Sequence, residues 1–409
     1  MPLPEDFARQ TATLLGAERW EVFTRAMSAE PPVSIRLNPR KPKSAELRAE
    51  VAGRGEPVAW CRDAYYLSER PAFTADPLFH AGAYYVQEAS SMFLDTVLCE
   101  TLPSLDTDRP RVLDLCAAPG GKSTLALSAL PAGSTMTCNE PVRKRASILT
   151  ENIVKWGYPS VEVTSNYAAD FAAAGRRYDI IIADVPCSGE GMFRKDERAV
   201  SEWSQHNVER CSRLQRQIVS DIWPCLVPGG IMIYSTCTFN TREDEENVRF
   251  IADKLSADIV PVTTQQQWGI TGSLLPGFDA PVYRFIPGLT RGEGLFMAVL
   301  RKRDNDSRPL PHRQQALHVI YDSREAKEPP SPSLALSTDF DRTKHPTIDL
   351  SRDEALAYLR REALHLPDDT PLGYVAVSYD GRPLGFVKNI GRRANNLYPA
   401  EWRIRTTYI

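Results

Sequence analysis

The stretch between residues 105 and 302 restricts the fold of this chain more than any other feature. Six short apolar runs, RVLDL, STMTC, VEVTS, YDIIIAD, GGIMIYS and LFMAVLR, alternate there with segments of helical periodicity. Such alternation predicts an α/β core, a parallel doubly wound sheet with helices on its faces. The helices are expected over GKSTLALSAL, PVRKRASILTENIVKWG and VERCSRLQRQIVSDIWPCLV. A parallel sheet delivers the carboxyl ends of its strands to one edge, and ligands of open α/β sheets bind along that edge.

The flanks differ in texture. Residues 4–28 read as an amphipathic helix with Phe7, Leu14, Leu15 and Phe23 on a common face, followed by a short basic strand in VSIRLNPRKPK. After Arg303, the segments RDNDSRPLPHRQQ and KEPPSPS read as an exposed linker around one strand-like piece, ALHVIYD. A compact tail resumes near Phe340 with a helical SRDEALAYLRREAL. It continues into strand-like LGYVAVSYDGRPLGFVKNIG, whose Asp380-Gly381 pair signals a hairpin. The N-terminus has no apolar signal core, and no window approaches the roughly 18 apolar residues of a membrane span, so a cytoplasmic protein without a membrane partner is expected. Eight cysteines without any C-x-x-C pair argue against a structural zinc or a disulfide framework, and no metal is expected. The net charge of −3 excludes a global basic field, so any nucleic acid must be met by local patches.

The first core strand runs into LDLCAAPGGKST, a small-residue loop that opens a helix and lets backbone approach a ligand. Gly121-Lys122-Ser123 is half of a phosphate loop, but Cys116 stands where that motif needs its first glycine. The dinucleotide fingerprint G-x-G-x-x-G is absent as well, which weakens an NAD-dependent oxidoreductase. Glu140, about 20 residues past the loop at the end of the second strand, is placed to hold ribose hydroxyls. Ribose without a pyrophosphate site points to S-adenosylmethionine as cofactor.

Asp184 and Cys187 come at and just past the end of the fourth apolar run, and Cys237 follows the fifth in YSTCTFN. The parallel topology brings all three to the cofactor edge. A thiol beside a methyl donor makes sense for an unactivated ring carbon: thiolate addition at cytosine C6 makes C5 nucleophilic, and the adduct then collapses by losing the C5 proton and the thiol. Asp184 would hydrogen-bond the ring edge as charge develops, and the second cysteine would assist elimination. A helix start at NTREDEENV would favour a nearby thiolate through its dipole, while Glu243 to Glu246 oppose it.

YYVQEASSM, LDLCAAPGGKS, DVPCSGEGMFRK, YSTCTFNTREDEENV, RGEGLFMAVLRK and the tail GYVAVSYDGRPLGFVKNIGRRANNLYP together resemble the RNA cytosine-5 methyltransferases of the NOL/NOP/Sun type, most closely the RsmF branch that modifies small-subunit ribosomal RNA in bacteria. The resemblance implies that Cys237 is the nucleophile and Cys187 the thiol needed for release. It implies that Cys116, Ala117, Ala118, Pro119, Gly120, Gly121, Lys122 and Glu140 hold S-adenosylmethionine, and that Asp184 touches both cofactor and base. Where the family usually has an acidic residue for the adenine side, this chain offers Asn166, with Asp170 as the other candidate. Gly288 stands where relatives commonly carry histidine.

Residues 371–409 carry six basic side chains against Asp380 and Glu401, interleaved with Tyr374, Tyr379, Phe386, Tyr398 and Trp402. That mixture suits phosphate contact plus stacking, and equally the core of a small barrel. By resemblance the tail is a PUA-like β domain. RLNPRKPK, Arg194 and Lys195 are further phosphate candidates, whereas Arg143, Lys144 and Arg145 read as a solvated helix face. The expected architecture is therefore an N-terminal α+β RNA-handling domain (1–85), a Rossmann-like S-adenosylmethionine-dependent methyltransferase domain (86–302), a linker (303–339) and a PUA-like RNA-binding domain (340–409). The expected partner is ribosomal RNA, naked or in the small subunit, and the chain is expected to be a monomer. The rival readings are methylation of tRNA, and an assembly factor that keeps the fold without catalysis.

Overall fold

The computed structural model describes residues 3–304, 315–325 and 327–405, so most of the first linker segment lies outside the described residues. The N-terminal helix spans Glu5–Met27 but breaks at Gly16, whose φ of 76° and ψ of 166° are not helical. Phe7, Leu15 and Phe23 are buried as the amphipathic pattern predicts, while Leu14 is only half-buried. Four short strands follow, β1 (Val33–Leu37), β2 (Glu56–Pro57), β3 (Ala64–Leu67) and β4 (Tyr84–Val86). They form an antiparallel sheet in the order β2-β3-β1-β4.

The central sheet contains β5 (Arg111–Asp114), β6 (Thr135–Asn139), β7 (Val161–Thr164), β8 (Tyr178–Asp184), β9 (Leu226–Thr236), β10 (Ala257–Ile259), β11 (Tyr283–Phe285), β12 (Leu295–Lys302) and β13 (Val319–Asp322). Its order is β10-β12-β9-β8-β5-β6-β7-β13, with β11 also paired to β12. All six expected runs are strands, and the five from β5 to β9 are mutually parallel. The sixth, β12, is antiparallel to β9. The crossover helix Glu245–Lys254 leads to β10, and β12 returns between β10 and β9, which needs no second crossover. The strand residues alternate between two cores: Val112, Ile180, Ile182, Ile231 and Ile233 face one, and Leu113, Ile181, Ala183, Met232 and Tyr234 the other. Each fully buried aliphatic side chain stabilises the fold by roughly 1.5–3 kcal/mol.

The expected helices are Gly121–Ala129, Arg143–Trp156 and Gln205–Ile222. Gly157, at φ 80°, ends the second, as a left-handed glycine after a helix does. The segment 315–339 is not a plain linker. Strand β13 pairs antiparallel with β7 and extends the sheet, and the turn Pro332–Ala335 packs against the strand Arg382–Asn389 of the last domain.

That last domain holds β14 (Thr347–Leu350), β15 (Gly373–Tyr379), β16 (Arg382–Asn389) and β17 (Ala394–Asn396) in sequential order. Asp380 and Gly381 turn the β15–β16 hairpin with φ of 49° and 71°, the left-handed pair that a tight type I′ turn requires. The helix Arg352–Leu359 starts at a capping box of Ser351 and Glu354 and stops short of the expected Leu364, because the chain turns left-handed at Arg361. Lys43 pairs with Asp380 at 2.7 Å, Arg382 donates to the Lys43 carbonyl at 2.8 Å, and Lys41 donates to the Leu336 carbonyl at 2.6 Å. The two flanking domains thus contact each other as well as the core.

Candidate active site

The carboxyl ends of β5, β8 and β9 open into a cavity of about 490 Å³. After β5 the chain turns through Cys116–Gly120 into the helix Gly121–Ala129. Gly120 sits at φ 114° as the residue before the helix, a conformation that side chains rarely adopt. Cys116, Ala117, Ala118, Pro119, Gly121 and Lys122 line the cavity, together with Asp184, Cys187 and Cys237. Nine of the residues singled out in the sequence therefore share one space.

The two sulfurs are in contact: Cys187 Sγ and Cys237 Sγ lie 2.9 Å apart, and the Cys237 backbone N–H donates to Cys187 Sγ at 3.4 Å. The hydrogen bond with Cys237, reinforced by burial, pushes the Cys187 thiol well above its ordinary pKa. Asp184 accepts from the Ser235 hydroxyl at 2.7 Å and pairs with Lys122 Nζ at 2.8 Å. Burial works against the Lys122 ammonium, but Asp184, Asp114 and Cys237 outweigh it and keep its pKa above that of an ordinary lysine.

Two buried carboxylates fix the cysteine loops. Glu190 accepts from the Phe239 and Asn240 backbone N–H groups at 2.7 and 3.2 Å and from Trp203 Nε1 at 3.0 Å. Glu243 accepts from the Ser188 N–H at 3.0 Å, Gln215 Nε2 at 2.7 Å and Asn240 Nδ2 at 3.0 Å, so it joins the loop after β8 to the loop after β9. Burial, with Glu190 nearby, pushes Glu243 up to about 7. Asp244 and Glu245 pair with the fully buried Arg284. The acidic run is thus scaffold, and its helix begins only at Glu245, beyond the turn that follows Cys237. Lys122 and Lys195 are cations on the cavity wall with the cysteines, and that helix start does not line it.

Other expectations shift. Glu140 is buried just past β6, outside the cavity lining. Its Oε1 accepts from the Val142 N–H at 3.0 Å, while Oε2 lies 3.1 Å from Arg145 without a hydrogen bond. Arg145 also donates to the Ala118 carbonyl at 3.0 Å, so this residue of the expected solvated face braces the glycine loop. Asn166 does not line the cavity, and both atoms of its amide are engaged: Oδ1 accepts from the His318 N–H at 2.9 Å and Nδ2 donates to the His318 carbonyl at 3.2 Å. It holds the approach to β13, a partner that no local pattern announces. Asp170 instead accepts from the Tyr167 N–H at 2.8 Å as a helix cap. At Gly288, φ is 89° and an added Cβ would lie 2.8 Å from both the Val22 side chain and carbonyl, so the N-terminal helix occupies the space that a histidine would need.

Among the basic candidates, Arg36 and Lys41 are buried, and Arg194 is pinned by Glu293 at 2.9 Å and by the Ala26 carbonyl at 2.8 Å. Lys195 lines the cavity and lies 3.3 Å from Glu293. In the tail, Arg382, Phe386 and Tyr398 are core, whereas Tyr374, Lys388, Ile390, Arg392 and Arg393 are exposed. Gln87, Glu88 and Glu293 also line the cavity; they lie within YYVQEASSM and RGEGLFMAVLRK, but residue type alone assigns them no role. Gln87 Nε2 and Asp114 Oδ1 are buried without a hydrogen-bond partner at or beside this edge, while Glu140 Oε2 and Glu293 Oε1 meet only the cations Arg145 at 3.1 Å and Lys195 at 3.3 Å. An unmet donor and an unmet acceptor at one edge fit a polar ligand with an amino acid at one end and a ribose in the middle.

A parallel core with an antiparallel strand inserted beside β9, and a small-residue loop after its first strand, is the Rossmann-like fold of the S-adenosylmethionine-dependent methyltransferases. The same fold occurs in a methyltransferase homolog protein from Pyrococcus horikoshii (TM-score 0.61, 23% identity, 73% of this chain and 95% of that one) and in NSun6 from Pyrococcus horikoshii with SFG (TM-score 0.61, 20% identity, 74% and 99%). Residues 102–301 match the family model 16S rRNA methyltransferase RsmB/F, residues 3–89 the N-terminal domain of 16S rRNA methyltransferase RsmF, and residues 345–404 the methyltransferase RsmF PUA domain. The chain belongs to this RsmF-type family. Relatives called ribosomal RNA small subunit methyltransferase F include one from Cronobacter sakazakii, 33% identical over 293 residues (68% of this chain, 58% of the relative). Another from Pectobacterium atrosepticum is 33% identical over 274 residues (63% and 52%), and one from Klebsiella pneumoniae is 27% identical over 466 residues (97% and 96%). In the first two the match spans little more than half of the relative's length.

Proposed function

We propose that this protein methylates cytosine C5 in small-subunit ribosomal RNA, using S-adenosylmethionine and a covalent adduct through Cys237. The observation that carries the reading is the contact of two thiols, 2.9 Å apart, on the wall of a cavity shared with the Lys122–Asp184 pair. The Cys116–Lys122 loop with the helix start behind it would hold the cofactor, with Asp184 at the end nearest the base and Glu140 at the ribose. S-adenosylmethionine supplies an electrophilic methyl group when bound.

The chain's own groups do the rest. Lys122 favours the Cys237 thiolate electrostatically, and the thiolate adds to C6, pushing the ring electrons toward N3 and C5. Asp184 hydrogen-bonds the ring edge as that charge develops. After methylation the C5 proton leaves to a base and the C6–S bond breaks, returning the sulfur of Cys237. Cys187, held protonated, donates to that sulfur as it departs. The exposed tail patch of Tyr374, Lys388, Ile390, Arg392 and Arg393 would contact RNA by stacking and phosphate pairing. Action as a cytoplasmic monomer, on naked RNA or on the assembled subunit, belongs to the same proposal.

The test is a denaturing gel of wild type, Cys187→Ala and Cys237→Ala after incubation with small subunits, or their RNA, and S-adenosylmethionine. Cys187→Ala alone is expected to accumulate a slow, nuclease-sensitive band, because it attacks but does not release, and Cys237→Ala is expected to lose methyl transfer. Absence of an adduct from every variant, with cofactor binding retained, would sink the two-cysteine mechanism and favour an assembly factor.

A further inference from the structure

One polar group of the cavity comes from outside the catalytic motifs. Gln87 follows β4 of the N-terminal sheet, is 7% exposed and lines the cavity wall. Its Oε1 accepts from Arg36 Nε at 2.9 Å. A guanidinium only donates, so the amide orientation is fixed: the oxygen must face Arg36 and the NH2 must face away. That Nε2 is buried and has no partner. A buried donor left unmet is costly, and a bound acceptor would remove the penalty.

The position of the NH2 group identifies the acceptor. A Cβ on Gly121 would lie 3.5 Å from both Cδ and Nε2 of Gln87, so the amide stands against the first residue of the helix Gly121–Ala129. No side chain caps that helix, and its first-turn N–H groups and dipole favour a negative charge at the same place. Arg36 ties the arrangement together by also donating to Thr124 Oγ1 at 2.6 Å and to the Gly121 carbonyl at 3.3 Å. Two independent donor sets, one from each domain, converge on one spot.

We propose that Gln87 Nε2 donates to the carboxylate of the amino-acid end of S-adenosylmethionine, so that the N-terminal domain completes the cofactor site. This inference rests on the cofactor assignment above. A donor-only NH2 suits the carboxylate and cannot serve the neighbouring ammonium. Arg36 acts as the positioning residue that aims the amide.

Calorimetric titration of wild type and Gln87→Met with S-adenosylhomocysteine and with 5′-methylthioadenosine tests it, because the second ligand keeps the adenosine and thioether but has no carboxylate. The variant is expected to bind S-adenosylhomocysteine about tenfold weaker or worse, with its affinity for 5′-methylthioadenosine unchanged. Unchanged binding of the smaller ligand also establishes that the variant is folded. Equal losses for the two ligands, or no loss for S-adenosylhomocysteine, overturns the inference. Failure of the wild type to bind either ligand overturns the cofactor assignment itself, and that outcome is distinct because the variant plays no part in it.

Discussion

Residues 36–43 and residues 388–393 look alike in sequence, each a strand end and the turn after it carrying arginine and lysine, yet the fold buries two basic residues of the first and none of the second. In the first, Arg36 is 2% exposed and Lys41 5%. In the second, Lys388, Arg392 and Arg393 stand in solvent beside Tyr374. The difference lies in what covers the second face of each sheet. On β1, Ile35 and Leu37 fill the core of the N-terminal domain, so Arg36 points to the opposite face. The catalytic domain covers that face, and the guanidinium lies 4.6 Å from the Trp156 ring and donates to Thr124 and Gln87. On β16, Val387 fills the core, and among the described residues nothing buries Lys388 on the other side. A basic run therefore becomes a joint between domains or a surface for a partner according to docking, not composition.

Three experiments would break or sharpen this contrast. The largest effect is expected at Arg36. Arg36→Met leaves Gln87 Oε1 and Thr124 Oγ1 without the guanidinium that donates to them in a closed seam, which should cost about 3 kcal/mol or more in urea denaturation. A loss under about 0.5 kcal/mol would mean that the first run is no more structural than the second.

The next effect is a pH dependence. Burial lowers Lys41 to about 7, against 10.5 for an ordinary lysine. Between those values the unfolded chain binds a proton that the folded chain does not, so Lys41 makes stability rise with pH from about 7 toward 10.5. The contribution is at most about 1.4 kcal/mol per pH unit. Unfolding midpoints of wild type and Lys41→Met at pH 7 and 9 should show the steeper rise in the wild type, and parallel slopes would contradict the burial argument.

The smallest effect on stability is expected from replacing Lys388, Arg392 and Arg393 together by serine, within about 0.5 kcal/mol. The same triple variant should bind ribosomal RNA more weakly, with a salt dependence shallower by about 2 in log–log slope. Unchanged RNA affinity and salt slope would remove the tail patch from the RNA-contact reading.

Much of the site was legible because strand-end logic is local. Cys187, Cys237 and Asp184 each follow an apolar run, and a parallel sheet must bring such positions to one edge. The loop from Cys116 to Lys122 was legible for the same reason. Nothing local showed that the Asn166 amide pairs with the backbone of His318, brought in by an edge strand from a segment that reads as linker. Arg145 looked like one more charge on a solvated helix, and its contacts with Glu140 and the Ala118 carbonyl depend on how that helix lies over the loop. Gln87 sits in a motif of the chain but carries no chemistry by residue type, and only the closeness of Arg36 and Gly121 gives its amide a direction.

By itself, then, the sequence determined the parallel core, the edge at which its loops meet, the residues after β5, β8 and β9 that face the cavity, and the Asp380-Gly381 hairpin. These follow from apolar periodicity and from backbone conformations that few residue types tolerate, which are properties of short segments. Tertiary structure alone decided the antiparallel insertion of β12, the addition of β13, the collision that excludes a side chain at Gly288, and which charges are buried. Those depend on contacts between segments far apart in the chain. A buried polar group is set by the particular atoms that meet it, and residue type does not reveal which atoms those are.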